Sequence, residues 1–209
     1  MAIEHGSAAT EVVFLDRATL PNTIQLRPFP FIHHTRNYDS TSADEVPERI
    51  RDAQIVITNK TPISKASIAA ASRLKLIAVA ATGADNIDVS ACTDSGITVS
   101  NIRNYAGHTV PEHTFALILA LRRSVLAYRD SLAAGRWQRS GQFCYFDYPI
   151  RSLAGSTLGI IGDGLLGRAV ADIAKVFGMN VLFSDYKGTT GMGPLYTPFQ
   201  EVLRRSDII

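Results

Sequence analysis

The sequence predicts an α/β protein built on doubly wound parallel sheets. Short apolar runs alternate with helix-like runs over residues 11–101 and again from about Ser156. Strands that alternate with helices need crossover connections, and so form parallel sheets. The second observation is Gly162-Asp163-Gly164-Leu165-Leu166-Gly167, which lies between an apolar run and an amphipathic run, with Asp185 following at the end of the next apolar run. Composition agrees: 46% hydrophobic, 19% charged and a formal net charge of +2 over 209 residues make an ordinary globular profile, long enough for two domains.

The first half reads in order as follows. Val12-Val13-Phe14-Leu15 is a buried strand ending at Asp16, and Phe29 to His33 is a candidate second strand. Pro47 suits the first turn of a helix that runs to about Ala53. Gln54 to Thr58 is a strand, and Ser64 is placed to cap a helix containing Ile68, Ala69 and Ala70. Leu74 to Ala80 is the clearest strand of this half, and Ile97 to Ser100 closes the series. Thr109-Val110-Pro111-Glu112 has the form of a capping box with proline in the first turn. It opens one long helix, apolar around much of its surface, to about Ser131. Residues 135–155 carry aromatics, Pro149 and glycines and read as an irregular connection.

In the second half, Leu158 to Ile161 is a buried strand, and Leu165, Leu166, Ala169, Val170, Ile173, Ala174 and Phe177 repeat at helical spacing. Gly178 ends that helix, and Asn180 to Ser184 is the next strand. Thr197-Pro198-Phe199-Gln200 is a second capping-box pattern, opening a helix to about Arg205, and Asp207-Ile208-Ile209 reads as the start of a third strand. An unpaired apolar strand edge there predicts poor solubility.

The glycine motif sits where it makes chemical sense. Gly162 permits a tight turn out of the strand, Gly164 lets a pyrophosphate approach the backbone, and Gly167 lets the helix pack on the sheet. The helix N-terminus offers unpaired N–H groups and partial positive charge to phosphates. Asp185 at the end of the next strand can accept hydrogen bonds from both ribose hydroxyls and repels a 2′-phosphate. The pattern therefore points to NAD rather than NADP. The competing reading is an ordinary glycine-rich strand-to-helix turn with an unrelated acid downstream.

Other residues carry less. Ala81-Thr82-Gly83-Ala84-Asp85-Asn86 follows the clearest strand, at the end where α/β sheets place ligands. Thr82 and Gly83 can present N–H groups to a carboxylate; the loop reads equally as a strand-to-helix turn with a capping Asp. His108 and His113 lie five apart on a helix, rotated by about 140° at 3.6 residues per turn, and so make poor metal co-ligands. His33 and His34 point to opposite faces of a strand. No metal site is expected. The arginines at 122, 123, 129, 136 and 139 read as a solvated or interface face. Cys92 and Cys144 are too few for a disulfide framework, residues 1–10 lack an apolar targeting core, and no run reaches the ~18 residues of a membrane span. The near-neutral charge gives no argument for nucleic acid or an anionic membrane. These features together predict a cytoplasmic protein.

Several of these segments in one order resemble the NAD-dependent D-2-hydroxyacid dehydrogenases. They are Ala81 to Asp88, Gly96 to Asn101, Thr109-Val110-Pro111-Glu112 before an Ala/Leu-rich helix, Gly135-Arg136-Trp137, and Leu153 to Gly162 leading into the glycine turn. Asn101 to Tyr105 with His108 to His113 is most similar to the glycerate dehydrogenase and hydroxypyruvate reductase branch. The resemblance covers nearly all of residues 11–209. It implies a flavodoxin-like substrate-binding domain over residues 1–104 and the first, C-terminally incomplete part of a Rossmann NAD-binding domain over residues 105–209, with a cleft between them. It implies hydride transfer between nicotinamide and a small 2-oxo or 2-hydroxy acid, D-glycerate/hydroxypyruvate or glyoxylate, in a homodimer. Carried over by position, Thr82 and Gly83 meet the substrate carboxylate, and Thr82 and Thr109 face the cofactor. Gly162, Gly164, Leu165, Leu166 and Gly167 take the pyrophosphate, and Asp185 the adenosine ribose.

The family's catalytic arginine, glutamate and histidine follow the third Rossmann strand, and none of the 209 residues matches them. These residues alone are therefore expected to lack dehydrogenase activity. A second reading makes them a non-catalytic nucleotide-binding or interaction module.

Overall fold

A computed structural model describes residues 9–189 and 191–209. The chain divides into two compact units, one ending at Arg103 and the other beginning at Asn104. The first contains β1 (Thr10–Phe14), β2 (His33–Asn37), α1 (Val46–Ile50), β3 (Ile55–Thr58), α2 (Lys65–Ala70), β4 (Leu76–Val79), α3 (Val89–Asp94) and β5 (Thr98–Asn101). The second contains α4 (Thr109–Arg122), α5 (Val125–Ala133), α6 (Arg136–Ser140), β6 (Thr157–Ile160), α7 (Leu165–Val176), β7 (Asn180–Ser184), β8 (Tyr196–Thr197) and α8 (Phe199–Arg205). Among the described residues no helix is long and apolar enough to cross a membrane.

The first unit is a wholly parallel sheet in the order β2-β1-β3-β4-β5, the flavodoxin-like order. In the interior strand β1 and the residue after it, Val12, Val13, Phe14 and Leu15 are all buried, as expected of a continuous apolar run covered on both faces. Each such side chain stabilises the fold by about 1.5–3 kcal/mol on burial. The Ser64 cap forms as the sequence predicts, its hydroxyl accepting from the Ser67 N–H. Asp88 caps α3 by accepting from the Ala91 N–H at 2.9 Å.

The second strand lies further along than Phe29 to His33. The polar run from His33 to Asn37 forms β2, an edge strand paired on one side with β1. Its stability comes from the backbone ladder, so apolar alternation does not mark it. Phe29 and Phe31 instead stack on one another just before it, with ring centroids 5.4 Å apart.

The second unit is the opening of a Rossmann sheet, β6-β7-β8, again parallel. Phe115 and Ile118 of α4 share a core with Leu158, Ile160, Ala171 and Ala174. The third strand is not Asp207 to Ile209, because the short β8 takes that position beside β7. Ile208 pairs with Leu158 on the opposite edge of β6, so it opens the fourth position. Strand order therefore reverses at β6, which puts the topological switch point at the end of that strand.

Other expectations need correction. The long helix is two helices, because Ser124 adopts a left-handed conformation with φ 50°. Residues 149–152 hold the break: the Ser124 hydroxyl donates to the Pro149 carbonyl at 2.6 Å and the Arg151 N–H to the Arg122 carbonyl at 2.8 Å. Neither capping box forms. The residue before α4 is His108, with Thr109 already inside the helix; the residue before α8 is Pro198, with Thr197 paired in β8. The stretch read as irregular contains α6.

Candidate functional site

Gly162 follows β6 with φ +104°, a conformation open to glycine and strained for other residues. The chain then turns into α7, with Gly164 as its N-cap residue. A Cβ at Gly164 would meet no atom within 4 Å, so this backbone is bare and approachable. At Gly167 a Cβ would fall 2.1 Å from the Gly162 carbonyl oxygen, so the first turn of α7 lies directly on the turn that precedes it. Leu165 and Leu166 hold the first helical positions, where backbone N–H groups have no intrahelical acceptor. Their side chains are exposed.

Asp185 stands just after β7, with 3% of its surface exposed. Its backbone N–H donates to the Thr197 carbonyl at 2.8 Å. Its Oδ1 is buried and has no hydrogen-bond partner among the described residues. A buried acceptor left unpaired costs about 1–3 kcal/mol, so this atom stands out among the described residues.

Asp163, in the turn after β6, is bonded to Tyr196 of β8. The Tyr196 hydroxyl donates to Asp163 Oδ2 at 2.6 Å, and the Tyr186 hydroxyl lies 3.4 Å from Oδ1. The Arg168 side chain donates to the Asp163 carbonyl at 2.7 Å and to Oδ2 at 3.3 Å. The Tyr196 hydrogen bond, with Arg168 second, holds the Asp163 carboxyl below the ordinary carboxylate value. The same bond pushes the Tyr196 hydroxyl up, so it stays a donor.

Thr109 is exposed in the first turn of α4. Between the starts of α4 and α7 lies a cavity of about 500 Å³, lined by Asn104, Gly107, His108, Pro111, Leu165 and Asp172. Thr109 is not part of that lining.

In the first unit, Thr82 and Gly83 lie exposed on the loop after β4. The Asn101 amide donates to the Thr82 carbonyl at 2.6 Å, and the Asn86 amide to the Thr61 carbonyl at 3.0 Å. Among the described residues neither the Thr82 nor the Gly83 N–H donates a hydrogen bond, so both are available to a ligand. A neighbouring loop is built around Asp16, buried at the end of β1. Its carboxylate accepts from the N–H groups of Asn59, Lys60 and Thr61 at 2.9, 2.6 and 2.9 Å. The hydroxyls of Thr58 and Thr61 add two bonds at 3.2 Å. This ties the ends of β1 and β3 at the switch point of the first sheet.

The model of the family described as "D-isomer specific 2-hydroxyacid dehydrogenase, catalytic domain" matches residues 13–197. The chain belongs to that family. Glycerate dehydrogenase from Methylorubrum extorquens is 48% identical over 200 residues, which are 95% of this chain and 62% of that protein. Among solved structures, D-lactate dehydrogenase from Aquifex aeolicus complexed with NAD and lactic acid matches with TM-score 0.69 at 26% identity, over 94% of this chain and 58% of the other. An acyclic imino acid reductase in complex with NADPH and D-Arg matches with TM-score 0.72 at 25% identity, over 95% and 63%. The chain thus spans about three fifths of the length of these relatives.

Two groups in this chain escaped the sequence reading. Asp163 occupies a variable place in the glycine pattern, and Tyr196 lies 33 residues away, so nothing local links them. Asp16 carried one available signal, an acid directly after a fully apolar strand. Its partners at 58–61 come from another strand.

Proposed function

We propose that this chain forms the adenosine-binding and substrate-carboxylate-binding portions of an NAD-dependent D-2-hydroxyacid dehydrogenase acting on D-glycerate/hydroxypyruvate or glyoxylate. The observation that carries the cofactor is the buried, unpartnered Oδ1 of Asp185 beside a bare glycine turn. A ribose hydroxyl supplies the missing donor, whereas a 2′-phosphate would bring negative charge and no proton to a carboxylate. This favours NAD over NADP. Gly162, Gly164 and the amides of Leu165 and Leu166 would hold the pyrophosphate, with Gly167 keeping the helix against the turn. The nicotinamide, when bound, supplies or accepts the hydride.

Residues 1–104 are the substrate-binding part and 105–209 the cofactor-binding part of this reading. Thr82 and Gly83 orient the acid by donating backbone N–H groups to its carboxylate; the Asn101 and Asn86 bonds keep that loop in place. Thr109 contributes from the start of α4 on the nicotinamide side. The 48% identity to a glycerate dehydrogenase supports the choice of substrate. The two free cysteines fit a cytoplasmic setting.

A homodimer is part of the proposal. Leu121 of α4 is 78% exposed, and Phe143 and Phe146 on the loop after α6 are 89% and 86% exposed. So much apolar surface on one unit fits a second copy of the chain.

The test has two arms. The chain is titrated with ADP-ribose, and binding that weakens at least about tenfold in Asp185→Ala supports the cofactor site. The whole protein is assayed for NADH oxidation with hydroxypyruvate, glyoxylate and pyruvate. Activity with NADPH but not NADH would overturn the NAD assignment.

A further inference from the structure

We propose that Asp163 is a second determinant of dinucleotide choice, disfavouring a 2′-phosphate by neutralising Arg168. The inference rests on the dinucleotide reading above. An acid inside a phosphate-binding turn is unexpected, since its charge opposes the ligand's. The structure shows where that charge goes. The carboxylate is turned to the three groups that donate to it, Tyr196, Tyr186 and Arg168. Its side chain is only 17% exposed.

Two of those donors flank Asp185. Tyr186 is the next residue, and Tyr196 precedes Thr197, whose carbonyl accepts the Asp185 N–H. The turn after β6, the segment after β7 and the strand β8 are thus fastened together by one carboxylate. Arg168 is the cation at this turn, and both of its bonds go to Asp163. A 2′-phosphate needs a free guanidinium or ammonium to offset its charge. Here the guanidinium is already paired, so no free charge of the glycine turn offsets the repulsion from Asp185. A neutral residue at 163 would leave Arg168 only its bond to the residue-163 carbonyl, with its charge uncancelled and its side chain exposed to the phosphate.

The experiment measures the affinity ratio of ADP-ribose to 2′-phospho-ADP-ribose by NMR titration of the 209-residue chain. Asp163→Asn keeps an acceptor for Tyr196 and removes the charge. The ratio is expected to fall about tenfold, equivalent to ~1.4 kcal/mol. Adding Arg168→Met to that variant should reverse most of the change. Tyr196→Phe removes the tie and leaves the charge, so its ratio should stay near that of the parent. Equal weakening of both ligands by Asp163→Asn, or a fall in Tyr196→Phe as large as in Asp163→Asn, would overturn the proposal. Should Asp163→Asn fail to fold, Arg168→Gln alone decides: an unchanged ratio fits a sequestered cation, and a marked loss of 2′-phospho-ADP-ribose binding refutes it. A parent chain that binds neither ligand would instead remove the dinucleotide reading, and this inference with it.

Discussion

The Asp185 N–H donates to the Thr197 carbonyl at 2.8 Å, so the backbone of this acid is locked by the sheet while one oxygen of its carboxyl is left without a partner. The arrangement holds an acceptor in place before any ligand arrives. Removing it should separate stability from binding. Asp185→Ala deletes a buried, underbonded group, and is expected to leave the melting temperature unchanged or slightly raised. ADP-ribose affinity should fall by about 10- to 100-fold, the worth of a hydrogen bond to a charged group at about 1.5–3 kcal/mol. Parallel melting and titration of both proteins check this; a large loss of stability with binding intact would contradict it.

The glycine turn makes a paired prediction. Gly164 has a backbone conformation open to alanine, φ −69° and ψ −174°, and empty space where a Cβ would go. Gly164→Ala should fold as the parent does and lose nucleotide binding, because the added methyl occupies the space of the pyrophosphate. At Gly167 the same methyl would lie 2.1 Å from a backbone oxygen and 3.1 Å from Ile160 Cγ2. Gly167→Ala should lower stability by about 1–3 kcal/mol, the usual range for overpacking, and lower binding with it. Urea unfolding of the two variants would show the contrast, and equal stabilities would refute it.

In the first unit, Asp16 is expected to be the most sensitive polar residue. Its carboxylate satisfies three backbone N–H groups and two hydroxyls in a largely buried setting. Asp16→Ala strands these donors at about 1–3 kcal/mol for each one left unsatisfied, so a loss above about 3 kcal/mol is expected. Hydrogen exchange should report the damage first at Asn59, Lys60 and Thr61. Protection there equal to that of the parent would show that the loop does not depend on Asp16.

What the sequence revealed follows from what each element depends on. β1, β6 and α7 are specified by their own apolar patterns, and Gly162, Gly164 and Gly167 by backbone geometry that few other residues meet. Those were legible. β2 and β8 were not, because each is held by pairing with a neighbour: β8 has only Tyr196 and Thr197, ordered by β7. The break at Ser124 was hidden for the same reason, since its hydrogen bond goes to Pro149, 25 residues on. Thr109 and Thr197 had the right letters for capping boxes. At 109 the helix begins one residue earlier, and at 197 strand pairing takes the residue first.

The Arg136–Asp147 pair predicts a pH dependence of known sign. Arg136 Nε donates to Asp147 Oδ2 at 2.7 Å and Nη2 to Oδ1 at 2.9 Å, joining α6 to the segment that carries Phe143 and Phe146. The hydrogen bond from Arg136 holds the Asp147 carboxyl below its ordinary value of 3.8. A carboxyl depressed in the folded state contributes stability above its unfolded pKa and loses it as pH falls through the folded one. The contribution is therefore complete at neutral pH and fades only below about pH 3.8. Both side chains are partly exposed, so solvent and salt screen the pair and its effect is modest. Asp147→Asn should melt slightly below the parent at pH 7, and the two should converge as the solution is acidified below pH 3.8. Added salt at pH 7 should narrow the gap as well. A gap that widens on acidification would show that Asp147 stabilises the loop in its protonated form, against the bidentate geometry.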